Sequence, residues 1–382
     1  MNFIDGKSMS ISTVGDGVAD ATEVLQQELD RGGEIRIPCG NYRITRTLLV
    51  SANTAIIADA GARFILCGET PHRRGDFLLS NRELQKGDRN IAIYGGIWDG
   101  NNQGKYNTKN PDLFAADAYS GAVLNFFNVS GLKLHDMVIA NSVTFNIRMC
   151  RICDFEIRNI GFQSDRPGFN QDGLHFGGFV KNGIIENIRA ITRGQTTDDM
   201  LALNADDCMT RLENLDLLRG PIENLSFKNI FADDCYTGIR MLSVDAPIRN
   251  IRFENLTFGC RTYAINMDAA RYCRTPLFRN EDYPDGVGRI ENVEIVGMNT
   301  WRTGGELPLL AIESNVRNFS ITKFNRDFSK ETAECGPTLC ARNLRAGSWL
   351  QADDELLQLK NSADTIQLQR SFSDLKIESP IQ

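Results

Sequence analysis

The sequence predicts an all-β chain, a single-stranded right-handed parallel β-helix with an N-terminal capping helix. Three observations carry this. Short segments with apolar residues at alternate positions recur along most of the 382 residues. Turn-forming residues separate them at two recurring spacings, and helix periodicity is confined to one stretch near the start.

That stretch comes first. "DGVADATEVLQQELDRGG" sets Asp20 three residues before Glu23, the pattern of a capping box. Val24, Leu25 and Leu29 form one apolar stripe, which Gly32–Gly33 ends. A helix laid over the open end of a stack blunts an edge that invites pairing with another chain. The alternating segments follow: "NIAIYGGIW", "GLKLHDMVI", "DFEIRNIGF", "GIIENIRAI", "NLSFKNIFA", "NIRFENLTF", "NVEIVGMN" and "NFSITKFN".

Their turn positions are Gly95, Asp136, Asn159, Asn187, Asn229, Asn255, Gly297 and Lys323, with successive differences of 41, 23, 28, 42, 26, 42 and 26 residues. A coil of three short strands plus turns needs about this many residues at roughly 3.3 Å each. Each coil buries its apolar face only against its neighbours. A β-sandwich predicts turns every ~8–12 residues without long-range self-similarity, so it ranks second. Asparagine at the same turn of successive coils tolerates left-handed backbone and forms side-chain ladders. The sequons at Asn128, Asn224, Asn255 and Asn318 therefore read as turn chemistry. From about residue 345 the repeat is lost. The expected division is a β-helix over 1–344, cap included, and a C-terminal cap or assembly segment over 345–382.

Composition narrows the function. Hydrophobic residues make up 42% and charged ones 24%, which fits a packed core. The net charge of −7 argues against nucleic acid, whose phosphates demand a basic footprint. No apolar run approaches the ~18 residues of a membrane span. The start, "MNFIDGKSMSISTVGDG", lacks a basic-then-apolar leader profile, and the ten cysteines are scattered apart from "CRIC" at Cys150–Cys153. No second CxxC or histidine pair completes a zinc site. Free thiols and a cytoplasmic location are the expectation.

The chemistry is expected in "GQTTDDMLALNADDC" and, upstream, "PGFNQDGLHFGG". Asp172 and Asp198 are 26 residues apart, one repeat, and residues one coil apart stack at about 4.8 Å. Asp172, Asp198 and Asp199 in one cleft perturb each other, since like charges in contact cannot all ionise freely. A carboxyl kept protonated donates to a leaving oxygen while an ionised one activates water, as glycoside hydrolysis requires. Asp199 shares parity with Leu201 and Leu203, so a turn or bulge must rotate it away from the core.

These residues, with others, resemble the polygalacturonase family, glycoside hydrolase family 28, of the pectin-lyase-like β-helix superfamily. "FNQDGLHF" resembles its Asn-Thr-Asp-Gly motif, with Gln171 in place of Thr; "TTDDMLAL" resembles its Asp-Asp motif and "YTGIRML" its Arg-Ile-Lys motif. "YGGIWDGNNQG", "IANSVTFNI" and the N-terminal "VGDGVADATEVLQQELDRGGEIRIPCGNYRI" are similar to further family segments, so the likeness spans roughly 12–325. The resemblance implies that Asp198 is the general acid, that Asp172 and Asp199 hold the attacking water, and that configuration inverts. Inversion requires about 6.5–9.5 Å between the carboxyl groups.

Two departures stand out. No histidine follows His175, so the family's Gly-His-Gly is missing, and Leu242 replaces the motif lysine while Arg240 is kept. His175 is either a substitute or a structural histidine. Arg240 alone pairs with a carboxylate or bonds neutral hydroxyls. Substrate contacts are also expected from Asn170, which opens the Asp172 motif, and from Asn146 and Arg193. Asp206 and Asp207 either bind sugar hydroxyls or form a solvated turn. Trp98, Tyr236 and Trp301 either stack on a sugar or pack in the core. Basic residues such as Arg193, Arg240 and Arg302 must offset an acidic cleft.

The expected function is therefore an inverting glycosidase for an oligo- or polysaccharide, possible sugars extending beyond galacturonate. No cofactor, metal, nucleic acid or membrane partner is expected. One alternative is a β-helix lyase or fructotransferase-like enzyme in which the aspartates bind Ca²⁺. The other is a non-catalytic carbohydrate-binding β-helix.

Overall fold

The computed structural model is described for residues 10–67, 77–102, 122–166, 168, 170–206, 218–267, 279–284, 286–331, 336, 338–341, 349–352, 366–368 and 376–378. Its strands pair in parallel, each with the strand one coil away. The result is the right-handed parallel β-helix that the sequence predicts. Side chains alternate across a strand, so every second residue enters the interior. On the first face Leu124, Ile147, Leu174, Leu201, Ile239, Ile265, Leu310 and Leu339 fall in one register column, all buried. Leu134, Ile157, Ile185, Phe227, Phe253, Ile295 and Ile321 make the column of the second face. Met137, Ile160, Ile188, Ile230, Leu256, Met298 and Phe324 make that of the third.

The bends between faces explain the turn residues. All eight expected turn positions, from Gly95 to Lys323, have positive φ. Asparagine fills this left-handed region with little penalty, because its short amide bonds locally. Here the amides also bond one another between coils. Asn159 donates to Asp136 at 2.6 Å, Asn187 to Asn159 and Asn229 to Asn187 at 2.8 Å, and Asn255 to Asn229 at 2.7 Å. A second ladder runs from Asn318 through Asn292, Asn250, Asn224 and Asn182 to Asp154. Three of the four sequon asparagines are thus ladder members. At Gly95 a side chain is excluded outright, since a Cβ would come 2.1 Å from the Ala58 carbonyl.

The helix Thr22–Arg31 buries Leu25 and Leu29, which share a small cavity with Ile35, Leu48, Ile56 and Trp98. Its capping box does not form. The N-cap is Ala21, while the Asp20 carboxylate accepts from the Thr22 amide at 2.9 Å and from the Thr45 hydroxyl at 2.8 Å. Glu23 pairs instead with Arg46 at 2.6 Å. Asp20 ends the strand Asp16–Asp20, so its carboxylate is spent on the strand-to-helix corner. Past residue 344, the strands Trp349–Ala352, Ile366–Leu368 and Lys376–Glu378 pair onto the same stack. The six thiols Cys39, Cys67, Cys150, Cys153, Cys235 and Cys260 are free.

Candidate active site

Asp172 and Asp199 are placed by adjacent coils at the start of the first face. Leu174 pairs with Leu201, which sets Asp172 level with Asp199, one position beyond the expected Asp198. The Asp199 amide donates to Asp172 Oδ1 at 3.1 Å, and the Gly173 amide donates to the Asp199 carbonyl at 2.9 Å. A Cβ at residue 173 would lie 2.4 Å from the Met200 carbonyl, so the close approach of the coils requires the glycine after Asp172.

Asp199 is the first residue of the strand Asp199–Asn204, directly after a bend at 197–198. Its Oδ2 lies 2.7 Å from Arg240 Nε, and both side chains are largely buried. Its Oδ1 is buried without a hydrogen-bond partner among the described residues. Arg240 belongs to a column, Asn125, Arg148, His175, Ala202, Arg240 and Asn266, that is polar except at Ala202 and alternates with the interior column of Leu and Ile. The Arg148 Nε donates to Asn125 Oδ1 at 2.9 Å.

His175 Nδ1 lies 2.6 Å from Asp172 Oδ2, and its ring stacks on Phe145 at 4.3 Å. Asp198 is half-buried beside the pair. One oxygen from each of the three carboxylates falls within 4.8 Å of the others. Burial, then the charges of Asp199 and Asp172, push the Asp198 carboxyl well above the usual carboxylate range, against the opposing pull of Arg240. The surroundings of Asp198 therefore favour its neutral carboxyl form.

The other expected residues divide. Asn146 is fully buried, and its side-chain amide donates to the Asp172 carbonyl at 2.7 Å, so it holds the loop that carries Asp172. Tyr236 precedes Thr237, the register partner of Asp199, and is 39% exposed beside the Asp198 coil. Asn170 is half-buried in left-handed backbone next to Gln171.

Several are corrected. Trp98 is completely buried and stacks on Phe64 at 4.2 Å, because it occupies an interior position of its strand. Trp301 is 3% exposed with Lys330 Nζ 4.2 Å above its ring, which leaves no face for a sugar. Arg193 is drawn away by Asp233 at 2.9 Å and Asp234 at 4.0 Å. Arg302 is buried on the backbone carbonyls of Thr262, Arg261 and Gly304, so it does not offset the cleft. Asp206 is neither solvated nor exposed to sugar. It is 2% exposed and accepts from the amides of Val244, Asp245 and Ala246, pinning the turn of the next coil. Burial lifts its pKa to about 6 in spite of those three donors. Asp207 lies outside the described residues.

Two positioning residues were missed. Gln171 is fully buried; its Oε1 accepts from the Gly168 amide, Gln195 Nε2 and Thr197 Oγ1, and its Nε2 donates to the Ser142 carbonyl at 2.6 Å. The only sequence signal was the departure from threonine in its motif. Arg261 donates to the carbonyls of Thr196 at 3.0 Å and Asp234 at 2.8 Å, bracing the turn before Asp198. Nothing in its local sequence marks it.

No family model matches the chain. It is 22% identical over 262 residues to a rhamnogalacturonase D candidate of Aspergillus niger, a match covering 67% of this chain and 50% of that protein. The chain spans half or less of the length of the curated relatives it matches. Among solved structures it superposes on the family 28 exopolygalacturonase of Yersinia enterocolitica with TM-score 0.60 and 12% identity, covering 96% of this chain and 76% of that one. It superposes on PfbA, a surface adhesin of Streptococcus pneumoniae, with TM-score 0.58 and 13% identity, covering 91% and 87%. The shared fold is the right-handed parallel β-helix, common to this hydrolase and this adhesin.

Proposed function

We propose that the chain is a polygalacturonase-like glycoside hydrolase acting on a saccharide held across Asp172, Asp198 and Asp199. One observation carries the reading: three carboxylates converge, one oxygen of each within 4.8 Å of the others, in surroundings that push the Asp198 carboxyl up. Asp198 gives its proton to the glycosidic oxygen as the bond to the anomeric carbon breaks. Asp172, oriented by His175, and Asp199, oriented by Arg240, take a proton from the water whose oxygen forms the new bond. His175 supplies the histidine contact that the missing Gly-His-Gly does not, and Tyr236 offers its exposed ring to a sugar face. With Leu242 at the family's lysine position, half of the acidic-sugar clamp is gone, which favours a neutral or weakly charged sugar. The similarity to a rhamnogalacturonase candidate fits hydrolysis within this wider range.

The test is reducing-end release from a panel of pectic and neutral oligosaccharides. Asp198→Asn should lower turnover of whichever glycan is cleaved by about 10²–10⁴-fold while circular dichroism stays unchanged; undiminished turnover would remove the proposal. A second reading, a Ca²⁺-assisted lyase, is favoured by the three converging oxygens, the donor type a hard cation prefers. It requires activity that EDTA abolishes and products that absorb in the ultraviolet.

A further inference from the structure

The aspartates occupy the N-terminal edge of the first face. Past its other edge, the chain bends at Asn128, Arg151 and Phe179, with φ of 60°, 55° and 61°. There an elongated cavity of about 790 Å³ opens along the stack. Among the described residues four cations line it, Lys86, Arg89, Arg151 and Lys181, all exposed. Among the described residues, none of them is within ion-pair distance of a carboxylate.

The two acids among the described residues of the lining are already engaged. Asp88 accepts from the Ala52 amide at 2.9 Å, Asn81 Nδ2 at 3.0 Å and the Glu83 amide at 2.8 Å. Glu223 pairs with Arg249. The groove thus presents net positive charge on a chain whose balance is −7. Its cations follow the stack, since Arg89 pairs with Ser130, Ser130 with Cys153 and Cys153 with Lys181. Three steps at about 4.8 Å separate Arg89 from Lys181 by roughly 14 Å.

Phe179 adds a flat apolar face. It is 46% exposed although its backbone is left-handed, a conformation that bulky side chains seldom adopt. A Cβ on Gly220 would come 2.5 Å from its ring, so glycine there makes room for the ring in this pose. We propose that this groove is a second carbohydrate site, binding an acidic oligosaccharide whose carboxylates or sulfates meet the four cations while one sugar ring lies on Phe179. A single-stranded nucleic acid fits less well, because it stacks successive bases on several aromatics and Phe179 is the only aromatic among the described residues of the lining. The site is independent of hydrolysis at the aspartates. It would hold the protein on an acidic polysaccharide while the cleft at the other edge works on a neighbouring, neutral or weakly charged chain.

Fluorescence polarisation with a labelled short oligogalacturonate, at low salt, tests this on the full chain. The wild type and Asp198→Asn should both bind, and added salt should weaken binding. The double variant Arg151→Glu/Lys181→Glu, changed only at exposed positions, should bind at least about tenfold more weakly with an unchanged circular dichroism spectrum. A neutral oligosaccharide of equal length should not compete. Bound probe should also slow alkylation of the half-buried Cys153, read by peptide mass spectrometry. Equal binding by the double variant, loss of binding in Asp198→Asn, an unprotected Cys153, or a DNA oligonucleotide binding as tightly as the probe would each overturn the proposal. Because Asp198→Asn separates the two edges, failure here leaves the hydrolytic reading standing, and the converse also holds.

Discussion

Asp198 sets function against stability at a single carboxyl. Its folded pKa is raised above the ordinary value of 3.8, so the native state binds its proton more tightly than the unfolded chain. The stabilisation this confers is full below the ordinary value and is lost as pH rises through the folded one. Asparagine mimics the protonated form at every pH. Asp198→Asn should therefore melt higher than the wild type at neutral pH, with the difference vanishing below about pH 3.8; a melting-temperature series by differential scanning fluorimetry reads this directly. An equal or lower melting temperature at pH 7 would show that the cluster is not strained. The three aspartates were legible in the sequence because like charges so close have no cheap structural use. Asp206 was not, because sequence reveals a carboxylate but not the three amides of the next coil that surround it.

At the scale of the coil, the turn ladders carry the repeat. Asn187 both donates to Asn159 and accepts from Asn229, in left-handed backbone at φ of 58°. Two substitutions separate these contributions. Asn187→Gly keeps the backbone and loses two exposed amide bonds, a cost of about 1–2 kcal/mol. Asn187→Ala adds the left-handed penalty of roughly 1–2 kcal/mol, so urea denaturation should rank alanine below glycine. The spacing of turn residues was readable because a bend recurs where each coil must turn. The one-residue difference between the expected and observed Asp172 register was not, because the path of the loop before Asp199 is set by tertiary bonds such as those from the Gln171 amide to Thr197 and from Arg261 to Thr196.

Over the whole molecule, stability is a sum of coil-on-coil contacts. Phe176, Phe227 and Phe253 form a continuous interior run, with ring centroids 6.1 Å and 4.7 Å apart. Phe227→Ala opens a cavity at the centre of that run and should cost about 3–5 kcal/mol in urea unfolding; a loss under 1 kcal/mol would mean that the coils repack freely. The fold was legible because alternation and repeat length agree with one another along the chain. Which aromatics face outward was not, since Trp98 and Trp301 differ from Tyr236 only by strand parity and by what lies above them. The central claim is that Asp198 meets a glycosidic oxygen. A crystal structure of Asp198→Asn soaked with the cleaved oligosaccharide tests it most directly. The account predicts the glycosidic oxygen within hydrogen-bonding distance of residue 198, with the anomeric carbon facing Asp172 and Asp199. A saccharide ordered elsewhere, with this cluster bare of sugar, would contradict it.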